Sequence, residues 1–390
     1  MQLHNDSMRL ASFVVLAQAA AVVTATAQEP RQIRIGPPSS ELREGITHVT
    51  QIHELPDGRV VIIDRADARV YLADMTTGDR RTLGREGLGV GEYAQPMWLV
   101  SLGGDSVGIY DDAGVRMPVI RPDATLGGFV PPVGTYDGNR AVAQYADKQG
   151  WVYGEVNTIT RRSDGRFQRS DSATVIRWQV ARTAPSPIAK IDRPTPEGMV
   201  TNELGVGVPG TFARPSTRNL WRVAADGRIG IVTFNPYRVI YIDTAGVRHA
   251  GPEVQHTRST ITDSMKTAFI DERRLPRSGV AMDGATGTAT VVRYPPHPKL
   301  FPDEIRWAAQ PPPFRAEAFV GFDDAGRLWV QRTTFGDEGG RYDVFGRDGS
   351  LIGRVELPPM HRVVGFGRDA VYIARLDGES EVLHRRQIPR

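Results

Sequence analysis

A short unit keeps returning along this chain: an apolar strand, a tight turn built on Asp and Gly, then a second apolar strand. It reads Thr50-Gln-Ile-His-Glu-Leu-Pro-Asp57-Gly58-Arg-Val-Val-Ile-Ile-Asp64 near the start. It recurs as Leu220-Trp-Arg-Val-Ala-Ala-Asp226-Gly227-Arg-Ile-Gly-Ile-Val232 and as Ala318-Phe-Val-Gly-Phe-Asp323-Asp-Ala-Gly326-Arg-Leu-Trp-Val330. Weaker copies surround Asp105-Ser106 and Arg368-Asp369. Asp-Gly pairs suit such turns because Gly adopts positive φ without strain and Asp tolerates it. Hairpins repeating at a period of about 40–50 residues are the mark of a β-propeller, whose blades are four-stranded sheets around a channel.

The copies divide the chain into six blades. They run from about Thr47 to Leu83, Met97 to Leu126, Ala141 to Ile191, Leu220 to Val254, Ala316 to Leu357 and Arg362 to Ile388. The last shows only three clear strands. The segment Gln32-Ile-Arg-Ile35, with apolar residues at alternate positions, is expected to supply the fourth and close the ring, which removes two exposed sheet edges. The expected fold is therefore all-β, a six-bladed propeller closed by an N-terminal strand. Two interruptions break the repeat. Pro194 to Pro215 is a Gly/Pro-rich connector, and residues 255–314 form a longer, partly helical insertion. Ser259 or Thr260 can cap its helix, and Met265, Phe269 and Ile270 recur at helical spacing. A long insertion on a rigid scaffold serves as a lid, a binding loop or a packing decoration.

The N-terminus has a different character. Leu10 to Val23 is apolar apart from Ser12 and Gln18, and Ala25-Thr26-Ala27 follows as a small-x-small cleavage site. Residues 1–27 thus read as a secretory signal peptide, with Met1 or Met8 as its start and a mature domain spanning 28–390. Export to the periplasm or the exterior is expected. Cysteine is absent, so neither disulfides nor a lipid on a mature N-terminal Cys contribute, and stability must come from packing. No other segment approaches the roughly 20 apolar residues needed to span a bilayer. The formal charge is +3, Asp6 and Arg9 of the leader cancel, and no dense Lys/Arg run points to nucleic acid.

At Gly84-Arg-Glu-Gly-Leu-Gly-Val-Gly-Glu-Tyr93-Ala-Gln-Pro96 the chain resembles the inter-blade segment of NHL-type repeats, with Tyr93 in the aromatic place and Pro96 as the proline. The stretches Phe301-Pro-Asp-Glu304, Pro313-Phe314 and Asp324-Ala-Gly-Arg-Leu-Trp-Val330 resemble exported bacterial six-bladed propellers of the NHL/TolB-like group. The resemblance implies the fold, while members of the group differ in function.

Letter patterns that suggest catalysis lack their context. Gly87-x-Gly89-x-Gly91 precedes Pro96 and a strand, where a dinucleotide site requires a helix. Gly104-Asp-Ser106-Val-Gly108 matches a nucleophile elbow in letters, but Ser106 lies on a strand-to-strand turn. The seven histidines outside the leader form no close pair at zinc-site spacing. A propeller can still assemble a metal site from one residue per blade, and His48, Glu317 and His361 are weak candidates at the channel mouth. No cofactor is otherwise expected.

A more suggestive set is Arg69, Tyr93, Arg214, Tyr237, Arg238 and Arg315. Each precedes an innermost strand or sits between the second and third strands of a blade, and those two loop classes share one face. Arg forks suit carboxylate or phosphate, and Tyr suits rings. The six tryptophans fall mostly in strands and read as inter-blade packing. The expectation is an exported binding module at the cell envelope, for an unknown protein or an anionic small molecule. The alternative is a lactonase-like hydrolase or lyase using a divalent metal at the channel mouth.

Overall fold

The computed structural model describes residues 30–112, 116–161, 167–180, 183–192, 219–256, 260–267, 277–282, 289–294, 312–315, 317–334 and 339–389. The leader, the 194–215 connector and Arg214 lie outside the described residues. Six four-stranded antiparallel sheets carry the chain. Blade 1 is Val49–Glu54, Val60–Asp64, Arg69–Ala73 and Arg80–Thr82, from channel to rim. Blade 2 is Pro96–Gly103, Ser106–Asp111, Met117–Ile120 and Leu126–Val130; blade 3 is Tyr145–Ala146, Trp151–Arg161, Phe167–Gln179 and Ser186–Asp192. Blade 4 comprises Leu220–Val223, Ile229–Phe234, Tyr237–Ile242 and Arg248–Ala250. Blade 5 comprises Val320–Phe322, Leu328–Gln331, Arg341–Phe345 and Leu351–Glu356. Blade 6 takes His361–Gly367, Ala370–Asp377 and Ser380–Gln387 from the C-terminus and Pro38–Ile46 from the N-terminus. Each innermost strand touches the next, and that of blade 6 touches blade 1, so the ring is closed.

Closure by an N-terminal strand holds, but through a different segment from the one the alternation of Ile33 and Ile35 suggested. Pro38–Ile46 pairs antiparallel with Ser380–Gln387, and Leu42 and Ile46 are buried in the seam. Gln32 instead forms a parallel bridge to Arg354 on the outermost strand of blade 5. There Ile33 N–H donates to Arg354 O at 2.7 Å, and Ile33 and Ile35 pack on the blade 5–6 core. One N-terminal stretch thus covers the edge of blade 5 and then completes blade 6.

Alternation explains the core. Every second residue of a strand faces the same neighbouring blade, and the buried clusters lie between blades. Trp329, Tyr342, Val363 and Ile373 join blades 5 and 6, while Leu55, Ile63, Leu72 and Ile109 join blades 1 and 2. Trp178, Trp221 and Trp329 are buried in clusters between blades, and Trp98 Nε1 donates to Ala143 O at 2.9 Å, in line with inter-blade packing. Gly84 marks the NHL-like segment: at φ +78° an added Cβ would lie 2.8 Å from Gly91 O and 3.1 Å from the Tyr93 ring. The described part of the insertion's helix is 263–267, capped by Thr262, whose hydroxyl accepts the Met265 N–H at 3.3 Å. Thr260 is too early for that role, and Ser259, Phe269 and Ile270 lie outside the described residues. A separate hairpin within the insertion pairs Arg277–Met282 with Ala289–Tyr294.

Candidate functional site

The loops divide between two faces. One face, here the turn face, carries tight reversals such as Leu55 to Arg59 and Ala224 to Arg228, where Gly58 and Gly227 have φ of +88° and +86°. The opposite, crossing face carries the blade-to-blade connections, and the selected residues that are described, Arg69, Tyr93, Tyr237, Arg238 and Arg315, belong to its loops and strand ends.

Where blades 4 and 5 meet, both ends of the insertion converge on one residue. Val254 N–H donates to Tyr237 O at 2.8 Å, and the Phe314 ring lies 5.9 Å from the Tyr237 ring. Tyr237 is buried, and its hydroxyl donates to Asp343 Oδ2 at 2.8 Å; burial, with the Asp343 charge behind it, pushes the phenol well above its usual range. Asp343 lies on the third strand of blade 5 and is fully buried. It accepts from Arg354 Nε at 2.9 Å and lies 3.8 Å from Arg332 Nε. Arg315, also buried, donates to Thr334 O at 2.6 Å, beside Arg332 on the same rim. Arg332 and Arg354 therefore flank one buried carboxylate on blade 5, and Arg315 is bonded to the same blade through Thr334.

The other selected residues do not join this corner. Arg238 follows Tyr237 in the strand, so its side chain turns to the opposite face of blade 4, toward blade 3. It lies 3.7 Å from Glu253. Tyr93 is buried between blades 1 and 2, its hydroxyl accepting the Val70 N–H at 2.9 Å. Arg69 is exposed at the start of the third strand of blade 1. The Gly-rich loop before Tyr93 spends donors internally: Gly89 N–H donates to Glu92 at 2.6 Å and Gly87 N–H to Tyr93 O at 3.0 Å, while Gly87 O accepts from Arg116 at 2.7 Å.

His48 and His361 occupy the crossing face near the closure seam, in different settings. His48 is 3.3 Å from Glu381, which also receives Arg362 at 2.7 Å and the Val49 N–H at 2.6 Å. His361 is 6.0 Å, ring to ring, from His384 inside blade 6, and Glu317 is exposed on blade 5. Among the described residues no three His, Asp or Glu side chains converge as a metal-holding group.

Sequence reasoning missed the carboxylates that organise this face. Asp64 ends the second strand of blade 1 and accepts Thr47 N–H and His48 N–H at 2.7 and 3.1 Å. Asp111 ends the second strand of blade 2 and accepts Gln95 N–H at 2.7 Å. Both fasten the loop that leads into their own blade, and an Asp closing an apolar run is the signal that could have found them.

No family model matches the sequence, and no curated protein matches it. Solved structures do. A DUF4221 family member from Bacteroides vulgatus is 9% identical over 93% of this chain and 99% of its own, with a TM-score of 0.51. A Bacteroides fragilis protein described as exported is 10% identical over 92% and 99%, with a TM-score of 0.48. Virginiamycin B lyase from Staphylococcus aureus is 10% identical over 90% and 98%, with a TM-score of 0.42. At such identities the first likeness carries the fold alone. Among the described residues no helix is long and apolar enough to cross a membrane.

Proposed function

We propose that this protein is an exported propeller of the NHL/TolB-like kind that acts as a binding module at the cell envelope. Its ligand is an anionic small molecule or an anionic group on a partner protein, held on the crossing face where blades 4 and 5 meet. The observation that carries this reading is the basic character of that corner among the described residues: Arg332 and Arg354 flank Asp343, and Arg315 is bonded to the same rim at Thr334, where both ends of the 255–314 insertion meet Tyr237. Guanidinium forks match carboxylate and phosphate oxygens in pairs. The leader-like N-terminus supports the envelope assignment. Loops that gather residues from several strands on a rigid scaffold are a common setting for ligand sites.

Thermal-shift titration with citrate and with inorganic phosphate tests the reading. Stabilisation of the parent protein by either anion is expected to fall away in Arg315→Ala and Arg332→Ala, since losing one desolvated Arg contact costs about 2–5 kcal/mol of binding. Asp226→Asn, on the turn face, is expected to respond like the parent. Equal responses in all variants, or a loss confined to Asp226→Asn, would place the ligand elsewhere.

A further inference from the structure

The outermost strand of a blade leaves a row of main-chain groups at the rim, and such an edge pairs readily with a strand from outside the sheet. Among the described residues, blade 5 is the one blade whose outermost strand takes a further strand. Gln32 bridges Arg354 in parallel; Ile33 N–H donates to Arg354 O at 2.7 Å, and Arg354 N–H to Arg31 O at 2.8 Å. Gly353 makes room for this strap, since a Cβ there would lie 2.6 Å from Ile33 Cδ1 and 2.8 Å from Arg31 O. Ile33 and Ile35, two residues apart, lay their branched side chains on the blade 5–6 core.

Two features make the strap exchangeable. It is lightly held: it bridges one residue of the six in Leu351–Glu356, and Arg31, Gln32 and Arg34 are exposed. Ile352, toward the other end of that strand, is exposed as well. The chain is also tied down again directly after the strap. Gly36 O accepts Arg386 Nη1 at 3.2 Å, and Pro38–Ile46 then completes blade 6 through its own pairing with Ser380–Gln387. Residues 31–35 can therefore leave blade 5 while the ring stays closed. Segments with few main-chain bonds and little buried apolar surface open at low free-energy cost.

We propose that the outer edge of blade 5 joins two copies of this chain by exchange of their straps. The strap of each copy lies along Leu351–Glu356 of the other, with Ile33 over Gly353 and the same two main-chain bonds. A second copy is the occupant the observations favour, because it carries the strand already seen to fit this edge, with its alternate isoleucines in register with the glycine gap. Reciprocal exchange keeps every contact of the strap and closes on itself as a two-fold dimer. The short connection at Gly36-Pro37 gives the strap in its own chain an effective concentration that is roughly millimolar, so exchange sets in as protein concentration approaches that value. This surface is independent of the anion site and stands or falls separately.

Sedimentation velocity on the chain beginning at Gln28, up to roughly millimolar concentration, tests the proposal. A dimer fraction that grows with concentration is expected. Deleting residues 28–35 should abolish it, and Gly353→Val, whose side chain fills the seat of Ile33, should weaken association about tenfold or more. Val90→Ser removes an exposed apolar side chain away from this rim and is expected to dimerise like the parent. A second measurement uses a fluorescein-labelled peptide of residues 29–36. It is expected to bind the deletion variant saturably and the parent about tenfold more weakly or less, because the resident strap competes. This titration decides the matter should Gly353→Val fail to fold. A parent that stays monomeric throughout, a deletion variant that dimerises like the parent, or a peptide that ignores the deletion variant would each overturn the proposal. Peptide binding without any dimer would overturn self-pairing and give the edge to a strand of a different protein.

Discussion

His384 is the residue whose surroundings most alter its chemistry. It lies buried on the third strand of blade 6, with Nε2 3.5 Å from Glu41 and Nδ1 3.3 Å from Arg386. Burial, reinforced by Arg386, lowers its pKa to about 4; Glu41 opposes the shift, while His361 and Arg375 add to it. The neutral ring is the native form, whereas the unfolded chain titrates near 6.5. Between those values the unfolded state binds more protons, so stability contributed by His384 is complete above about pH 6.5 and lost as pH falls toward 4. The loss reaches at most on the order of 3 kcal/mol. Urea denaturation between about pH 7 and about pH 4.5 is expected to show that decline, and His384→Gln to flatten it. An unchanged slope in the variant would assign the acid sensitivity to another group. Arg386 is two residues away in the chain, but the burial that leads the shift comes only with ring closure, which lays Pro38–Ile46 against this strand.

At the scale of the element, the closing strand is the part on which the fold depends. Glu381 sits at the seam, receives the Val49 N–H from blade 1 and Arg362 from its own blade, and is almost fully buried. Burial opposes its ionisation, yet His48 and Arg362 hold its carboxyl below the usual carboxylate range. Leaving Arg362 without that partner is expected to be costly: Glu381→Ala should lose about 2–4 kcal/mol, below the range for fully buried pairs because Arg362 is partly exposed. Chemical denaturation measures it. A loss under about 1 kcal/mol would mean that the seam is held by the apolar contacts of Leu42 and Ile46 alone.

For the whole molecule, the described ends of residues 255–314 meet on one residue, so a short linker can join them across the propeller. The chain leaves at Val254, bonded to Tyr237, and returns at Phe314, against the same tyrosine. Replacing residues 257–311 with a short Gly/Ser linker is expected to preserve one cooperative unfolding transition. The melting temperature should stay within about 2 °C, the equivalent of roughly 1 kcal/mol for a domain of this size. Calorimetry would reject the idea if the transition split or fell by much more.

What the sequence determined by itself was local. Alternating apolar residues around Asp57-Gly58, Asp226-Gly227 and Ala325-Gly326 specify hairpins, since side-chain period and turn φ depend on a few neighbouring residues. Six such groups specify six blades. The closing strand could not be read the same way: Ile33-Arg-Ile35 alternates cleanly, yet Pro38–Ile46 takes the seam. Either segment can pair with an open edge, and the choice follows from where blade 6 ends once the ring has closed. The face of the selected loops was legible because antiparallel strands return to it in a fixed order. Their grouping was not. Tyr237 and Arg238 are adjacent in the chain and face different blades, and Asp343 meets Tyr237 across 106 residues. Inter-blade contacts of that separation exist only after the sheets have twisted and packed, and so the tertiary structure alone decided which polar groups share a corner.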